Sequence, residues 1–162
     1  MRTFVELLCW IAAAMLQWQW ENHFSVYGLS PDFIFISSLA LASFSSETRG
    51  SVWAFSAGLY ADMYYGSPLG ANALAYTVSA WIAKIVAQRF DLYDRLTQAA
   101  VVFLFSWPAY LSCWIVSSLF ANDSWMSLKY FCAVPFFNAL FAPFVFSAVL
   151  AIKRVLRMEE KF

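Results

Sequence analysis

Residues 58–70 read GLYADMYYGSPLG and place one carboxylate, Asp62, inside an apolar run that ends in a cluster of turn-forming residues. Glycine, serine and proline in close succession are typical of a tight turn between two regular elements. A carboxylate in an apolar environment is costly unless it is paired or hydrogen-bonded. The fold must therefore give Asp62 partners, and the nature of those partners depends on the solvent around the chain.

The composition indicates that this solvent is lipid. Of the 162 residues, 62% are hydrophobic, 20% aromatic and 12% charged, whereas charged residues make up about 25% of a typical soluble domain. The charged residues are clustered between long apolar runs, as expected for consecutive membrane-spanning helices of about 17 to 25 residues. The sequence therefore predicts an all-α membrane protein.

Six apolar runs account for most of the chain, and the links between them are short. Short links favour antiparallel neighbours, so we expect one six-helix transmembrane domain, residues 1–162, folded as a compact bundle. The first run has no small-residue cleavage site and is expected to be a retained helix. The six runs are 3–20, 31–46, 51–66, 69–88, 96–121 and 129–152.

The basic residues predict the orientation, because Lys and Arg in short loops are retained on the cytoplasmic side. Both termini are therefore expected to be cytoplasmic. The net charge of zero does not indicate nucleic-acid binding, and the basic side favours anionic lipid head groups. Lys84 lies near that side, and only Lys129 lies opposite, whereas eight residues fall on the side of the termini: Arg2, Arg49, Arg89, Arg95, Lys153, Arg154, Arg157 and Lys161.

Two short motifs resemble helix starts. Each has a serine followed by a proline, the residues favoured at the N-cap and at the first helical position. The motifs are Ser30-Pro31-Asp32 and Ser67-Pro68-Leu69. They predict that the second and fourth helices begin there, with Asp32 as an early helical residue favoured by the N-terminal helix dipole.

The third run carries a small or polar residue at every fourth position: Gly50, Ala54, Gly58, Asp62 and Gly66. Residues at this spacing share one face of a helix, and small residues there allow a second helix to approach closely. We expect a close helix crossing at Gly58. Asp62 should face protein, since a carboxylate against mid-bilayer lipid costs about 2.5 to 3.5 kcal/mol.

Two roles for Asp62 follow from its position one turn before Gly66. It can accept hydrogen bonds from the unpaired N–H groups at the start of the fourth helix, which predicts that Asp62→Asn is tolerated better than Asp62→Ala. Alternatively, it contributes to a ligand or partner site. In either case we expect Asp62 to share one layer of the bundle with Asp32, Asn72, the 66–70 turn and Lys129.

Other chemistry is weakly represented. Cys9, Cys113 and Cys132 lie in apolar runs without a C-x-x-C pair, so neither a disulfide framework nor a zinc site is indicated. The single histidine, His23, lies in a predicted loop without a recognisable nucleophile. Neither aspartate lies in a G-x-G-D signature of the kind found in intramembrane aspartyl proteases. We therefore expect no catalytic activity, no cofactor and no metal.

The second quarter of the chain carries a family resemblance. It contains PDFIF at 31–35, Gly50, GLYAD at 58–62 and GSPLGANALA at 66–75. This order and spacing resembles MreD, the family of bacterial rod-shape-determining integral membrane proteins. The resemblance rests on Pro31, Asp32, Gly58, Asp62, Gly66, Ser67, Leu69, Gly70, Ala73 and Leu74. The candidate structural or partner-site residues are Pro31, Asp32, Gly58, Asp62, Gly66, Ser67, Pro68, Leu69 and Gly70.

The resemblance implies a multi-pass protein of the bacterial inner membrane, with a fold similar to the substrate-binding subunits of energy-coupling-factor vitamin transporters. It implies a non-catalytic role in the cell-elongation machinery, with MreC as partner and, through MreC, the RodA glycosyltransferase and its transpeptidase in peptidoglycan synthesis. Membrane lipids are further partners, and a homo-oligomer is left open. The alternative function is a vitamin-type binding subunit of a transporter, since a fold alone does not determine function.

Overall fold

The computed structural model describes residues 2–25, 28–120 and 128–155. Within these ranges the regular structure consists of six helices, as predicted. They are α1 (Arg2–His23), α2 (Phe33–Ser43), α3 (Glu47–Tyr65), α4 (Ala71–Ala87), α5 (Arg95–Phe120) and α6 (Leu128–Val155). The predicted link at 122–127 lies outside the described residues.

Helix α2 forms the centre of the bundle. All 11 of its residues are buried, and it packs against α1, α3, α4 and α6. A helix that is apolar all round is stable only when it is covered on every side, and the sequence FIFISSLALAS has that character. The serines donate to carbonyls of their own helix, for example Ser38 Oγ to the Phe35 carbonyl at 2.7 Å, so α2 brings no unpaired hydroxyl into the core.

The second helix is shorter than the apolar run that predicted it. The run 31–46 contains a helix only over Phe33–Ser43, which corresponds to about 16 Å at 1.5 Å per residue. That is about half the thickness of a bilayer core. In the part of the chain that the structure describes, two helical segments are long and apolar enough to cross a membrane, Arg95–Val116 in α5 and Phe131–Arg154 in α6.

The predicted close crossing at Gly58 is confirmed. Helices α3 and α4 pack as a hairpin, and a Cβ atom placed on Gly58 would lie 2.4 Å from the Ala73 Cα and 2.6 Å from the Ala73 N. Earlier on the same face, a Cβ on Gly50 would lie 2.8 Å from the Ala42 Cα in α2. The small-residue face of α3 is therefore occupied by α2 and α4.

The predicted helix starts were wrong in detail. Asp32, rather than Ser30, is the N-cap of α2, and Pro31 lies outside the helix. Helix α4 begins at Ala71 with Gly70 as its N-cap, so Ser67 and Pro68 belong to the preceding turn. In both cases the serine-proline pair lies just before the helix, because a buried carboxylate satisfies the first N–H groups instead.

For orientation we distinguish two ends of the bundle. The turn end contains the 66–70 turn and the start of α2. The termini end contains the start of α1 and the end of α6, which meet where Glu6 approaches Lys153.

Candidate functional site

Asp62 is the centre of a hydrogen-bonded turn at the turn end. Its carboxylate is almost completely buried, with 1% of the residue exposed. Oδ1 accepts from the Asn72 N at 2.8 Å and from the Ser67 Oγ at 2.9 Å. Oδ2 accepts from the Gly70 N at 2.8 Å and from the Ala73 N at 3.4 Å. Both oxygens thus accept two hydrogen bonds each.

These contacts explain why an aspartate stands in an apolar helix. The first N–H groups of a helix have no partner within it, and no side chain at the N-cap of α4 supplies one. Asp62 supplies it from α3, and its negative charge is favoured at a helix N-terminus. The hydrogen-bonding role predicted for Asp62 is confirmed.

The remaining residues of the turn shape it around this carboxylate. Gly66 ends α3 in the left-handed conformation, with φ of 66°, which L-residues with a Cβ adopt at a cost. Ser67 Oγ also accepts from the Asn72 Nδ2 at 3.0 Å. Pro68 is partly buried, and its carbonyl accepts from the Ala71 N at 3.1 Å. Leu69 points outward with 75% of its surface exposed.

Asp32 forms a second buried centre. Its Oδ1 accepts from the Phe35 N at 2.9 Å, which caps α2. Its Oδ2 accepts from the Tyr76 hydroxyl at 2.5 Å and from the Tyr110 hydroxyl at 3.3 Å. Asp32 therefore joins α2 to α4 and α5, and it has a larger role than the helix-dipole preference predicted from sequence.

Two amide side chains complete the start of α2. The Asp32 N donates to Asn138 Oδ1 of α6, and the Phe33 N donates to Gln17 Oε1 of α1, both at 2.7 Å. Asn138 Nδ2 in turn donates to the Tyr110 hydroxyl and to Ser106 Oγ, both at 3.1 Å. Four helices thus contribute side chains to the first turn of α2.

The two carboxylates do not bind each other, but both bind α4. Asp62 accepts from the Asn72 N, and Asp32 accepts from Tyr76, one helical turn further along. The predicted common layer is therefore two adjacent levels on α4. Asn72 belongs to the Asp62 level as predicted, whereas the side chain of Lys129 lies outside the described residues.

Two lysines donate hydrogen bonds to the groups at the opposite end of α2. Lys153 of α6 donates to the Phe44 carbonyl at 2.6 Å and to Ser45 Oγ at 2.7 Å. Lys84 of α4 donates to the Ser45 carbonyl at 2.7 Å. Cations are favoured at the C-terminus of a helix, where carbonyl groups lack partners. Acidic and amide oxygens at one end and ammonium groups at the other thus match the dipole of α2.

Glu6 balances this buried positive charge. Only 4% of the residue is exposed, and its Oε1 lies 3.7 Å from Lys153 Nζ. It also accepts from Ser45 Oγ at 2.9 Å and from Trp53 Nε1 at 2.8 Å. Glu6 therefore connects α1 to α3 and α6 at the termini end.

The contacts of Lys153 lead to a prediction about stability. Lys153→Met removes the ammonium group that donates to the Phe44 carbonyl. A buried carbonyl left without a donor costs about 1 to 3 kcal/mol. We expect a loss of this size in the free energy of unfolding, measured in one detergent for all variants. Arg154→Met removes a neighbouring, exposed cation and should change stability much less.

Removing both charges tests the role of Glu6 in the same measurement. Replacing both members of a buried pair is often less damaging than removing one. The double variant Glu6→Gln, Lys153→Met should therefore lose less unfolding free energy than the sum of the losses in the two single variants. Wild-type stability of Lys153→Met would contradict the proposed capping of α2.

The carboxylates of these centres are engaged in contacts between helices. Asp62 accepts four hydrogen bonds, which saturates a carboxylate, and Asp32 is enclosed with 4% exposed. Over residues 2–25, 28–120 and 128–155 there is no group of three His, Cys, Asp or Glu side chains placed to hold a metal ion. His23 lies at the exposed end of α1, with Nδ1 3.2 Å from the Gln19 carbonyl.

Several of these residues belong to no sequence motif. They are Gln17, Asn138, Tyr76 and Glu6, each a polar side chain in an apolar run. That property was the available signal, because polar groups inside a membrane bundle normally have a partner there. Which partner each one meets depends on packing between distant helices, which spacing along the chain does not show.

Over the described residues the fold is all-helical, a six-helix bundle around a buried helix held at both ends by polar side chains, and two of its helices are long and apolar enough to cross a membrane. The family model of rod shape-determining protein MreD matches residues 1–154. The chain therefore belongs to the MreD family, as the resemblance predicted. No curated protein and no solved structure matches it.

Proposed function

We propose that the protein is a non-catalytic component of the bacterial cell-elongation machinery, and that it binds MreC. Through MreC it helps to organise or activate peptidoglycan synthesis by RodA and its transpeptidase. The observation that supports this proposal is the match of the MreD family model over residues 1–154, which covers α1 to α5 and all but the last residue of α6.

The use of the polar groups also supports a scaffold. Asp62, Asp32 and Lys153 are engaged in holding helices together. Large apolar side chains are exposed on α5 and α6, among them Leu104, Leu111, Phe136 and Phe144. Such surfaces suit lipid and partner helices in the membrane.

We further propose that all six helices lie in the inner membrane, with both termini cytoplasmic, and that the fold resembles the vitamin-binding subunits of energy-coupling-factor transporters. Helix α2 would be a short span enclosed by the others. The basic side chains at the termini end, Arg49, Lys84 and Lys153, support this orientation, because positive charge is retained on the cytoplasmic side.

Reporter fusions test the orientation. We expect green fluorescent protein fused after Phe162 to fluoresce, since it folds in the cytoplasm. Alkaline phosphatase inserted between Ser25 and Gly28 should be active, since it requires the periplasm. An active phosphatase fused after Phe162 would contradict the positive-inside argument.

Copurification tests the function. The tagged full-length chain should restore rod shape to cells that lack their own MreD-family protein, and MreC should copurify with it in mild detergent. A correctly folded chain that recovers no MreC would contradict the proposal. If such a chain instead retained a vitamin-type small molecule, the transport alternative would replace it.

A further inference from the structure

The turn between α3 and α4 holds one large apolar side chain away from the protein. Leu69 lies near the middle of this turn with 75% of its surface exposed. Asp62 fixes the turn on both sides of it, accepting from the Ser67 hydroxyl at 2.9 Å and from the Gly70 N at 2.8 Å. The side chain of Leu69 takes no part in these bonds, so the order of the turn does not depend on it.

Two glycines fix the backbone at the ends of the turn. Gly66 has φ of 66° and Gly70 has φ of 104°, values that glycine adopts at little cost. A Cβ atom at either position would have no atom within 4 Å, so the space beside the turn is open. Binding costs less when the contacting segment is already ordered. The turn therefore presents Leu69 in a fixed position to an approaching partner.

The surface around Leu69 is uncharged. Residues 63–83 contain no Asp, Glu, Lys or Arg, and the carboxylate of Asp62 faces inward with 1% of the residue exposed. The link between α4 and α5, in contrast, carries exposed Arg89 and Asp91. Charged residues are depleted at the centre of protein interfaces. A single exposed leucine is common on protein surfaces, but one held on an ordered, uncharged turn is suited to burial by a partner.

The backbone beside this side chain argues against lipid hydrocarbon as the occupant. The Leu69 N–H donates to no group among the residues that the structure describes. An unpaired N–H in hydrocarbon is costly, because no water is present there to accept from it. An occupant must cover an apolar side chain and also accept a hydrogen bond. A protein segment offers both, whereas an acyl chain offers no acceptor.

We propose that Leu69 is a docking contact for a protein partner, and that its side chain enters an apolar pocket with a hydrogen-bond acceptor at the rim. The turn end faces the periplasm in the proposed orientation, so the pocket belongs to the periplasmic part of the partner. This assignment rests on the proposed function, which makes that partner MreC.

Variants of the tagged full-length chain test the contact. We expect MreC recovery in mild detergent to fall several-fold in Leu69→Ala. It should fall further in Leu69→Asp, because an unpaired charge is costly in an apolar pocket. The unfolding temperature of the purified chain should remain that of the wild type in both. Leu96→Asp provides the control, since Leu96 is 80% exposed in the first turn of α5, and it should recover MreC as the wild type does.

Crosslinking in cells tests the contact directly. The photoreactive residue benzoylphenylalanine is incorporated in place of Leu69, and in a second chain in place of Leu96. After irradiation we expect a covalent adduct with MreC that is several-fold more abundant from position 69 than from position 96. An adduct with lipid alone at position 69 would overturn the assignment.

The outcomes separate this contact from the proposed function. If the wild type recovers MreC and both Leu69 variants recover it equally well, the docking contact is wrong and the proposed function stands. If the folded wild type recovers no MreC, both are wrong. A lowered unfolding temperature in Leu69→Ala would show that the side chain stabilises the turn itself, which would also overturn the docking role.

Discussion

Replacement of Gly58 by leucine is expected to prevent stable packing of α3 against α4. Even the Cβ of alanine would lie 2.4 Å from the Ala73 Cα, and the atoms it meets belong to the backbone of α4, which cannot rotate away. Over-packed interiors typically lose about 1 to 3 kcal/mol, and we expect Gly58→Ala to reach the upper end of that range and Gly58→Leu to exceed it. Thermal unfolding in detergent measures both.

Gly66 provides the matched control. It follows the last residue of α3 in the left-handed conformation, and a Cβ there would have no atom within 4 Å. Gly66→Ala should therefore cost only the conformational penalty of about 1 to 2 kcal/mol. A loss for Gly58→Ala no greater than that for Gly66→Ala would mean that the helices can separate without penalty, contrary to the packing described.

Asp62→Ala is expected to destabilise the hairpin by several kcal/mol. It leaves the N–H groups of Gly70, Asn72 and Ala73 without their acceptor, together with the Ser67 hydroxyl. Each unsatisfied buried group costs about 1 to 3 kcal/mol. The losses are measured as unfolding free energy in detergent, and as cell shape and MreC recovery at equal protein level.

Asp62→Asn discriminates between geometry and charge. Because each carboxylate oxygen accepts from at least one backbone N–H, an asparagine keeps one oxygen as acceptor and turns an NH₂ group towards a donor at the other. We expect Asn to fall between the wild type and Ala, rather than close to the wild type. Equal loss in Asn and Ala would show that the negative charge itself is required, and the hydrogen-bond account of the turn would have to be abandoned.

The sequence was most informative where structure is local. The period of four on α3 predicted the face that carries Gly58 and Asp62, because residues at that spacing share a helix face whatever lies beyond. The position of Asp62 one turn before Gly66 predicted its role for α4, since only a short turn separates the two helices. The number of helices followed from the alternation of apolar runs and charged links.

The sequence was least informative about contacts between distant helices. The capping of α2 depends on Gln17, Asn138, Lys84 and Lys153, which are separated from α2 by up to 109 residues. The rule that serine and proline mark a helix start failed at Ser30 and Ser67 because a carboxylate took over the capping. Local preference is a weak prior that tertiary contacts override.

The enclosed position of α2 has a consequence for the biogenesis of the protein. A ribosome releases α2 early, but Asn138 and Lys153, which satisfy its two ends, belong to α6, which is synthesised after the other five helices described. Until α6 arrives, the nascent chain holds a helix with unmet backbone groups in or near the bilayer, where water is scarce. Chains that stop short of residue 138 should therefore be substrates for membrane quality control, and final assembly should depend on completion of α6.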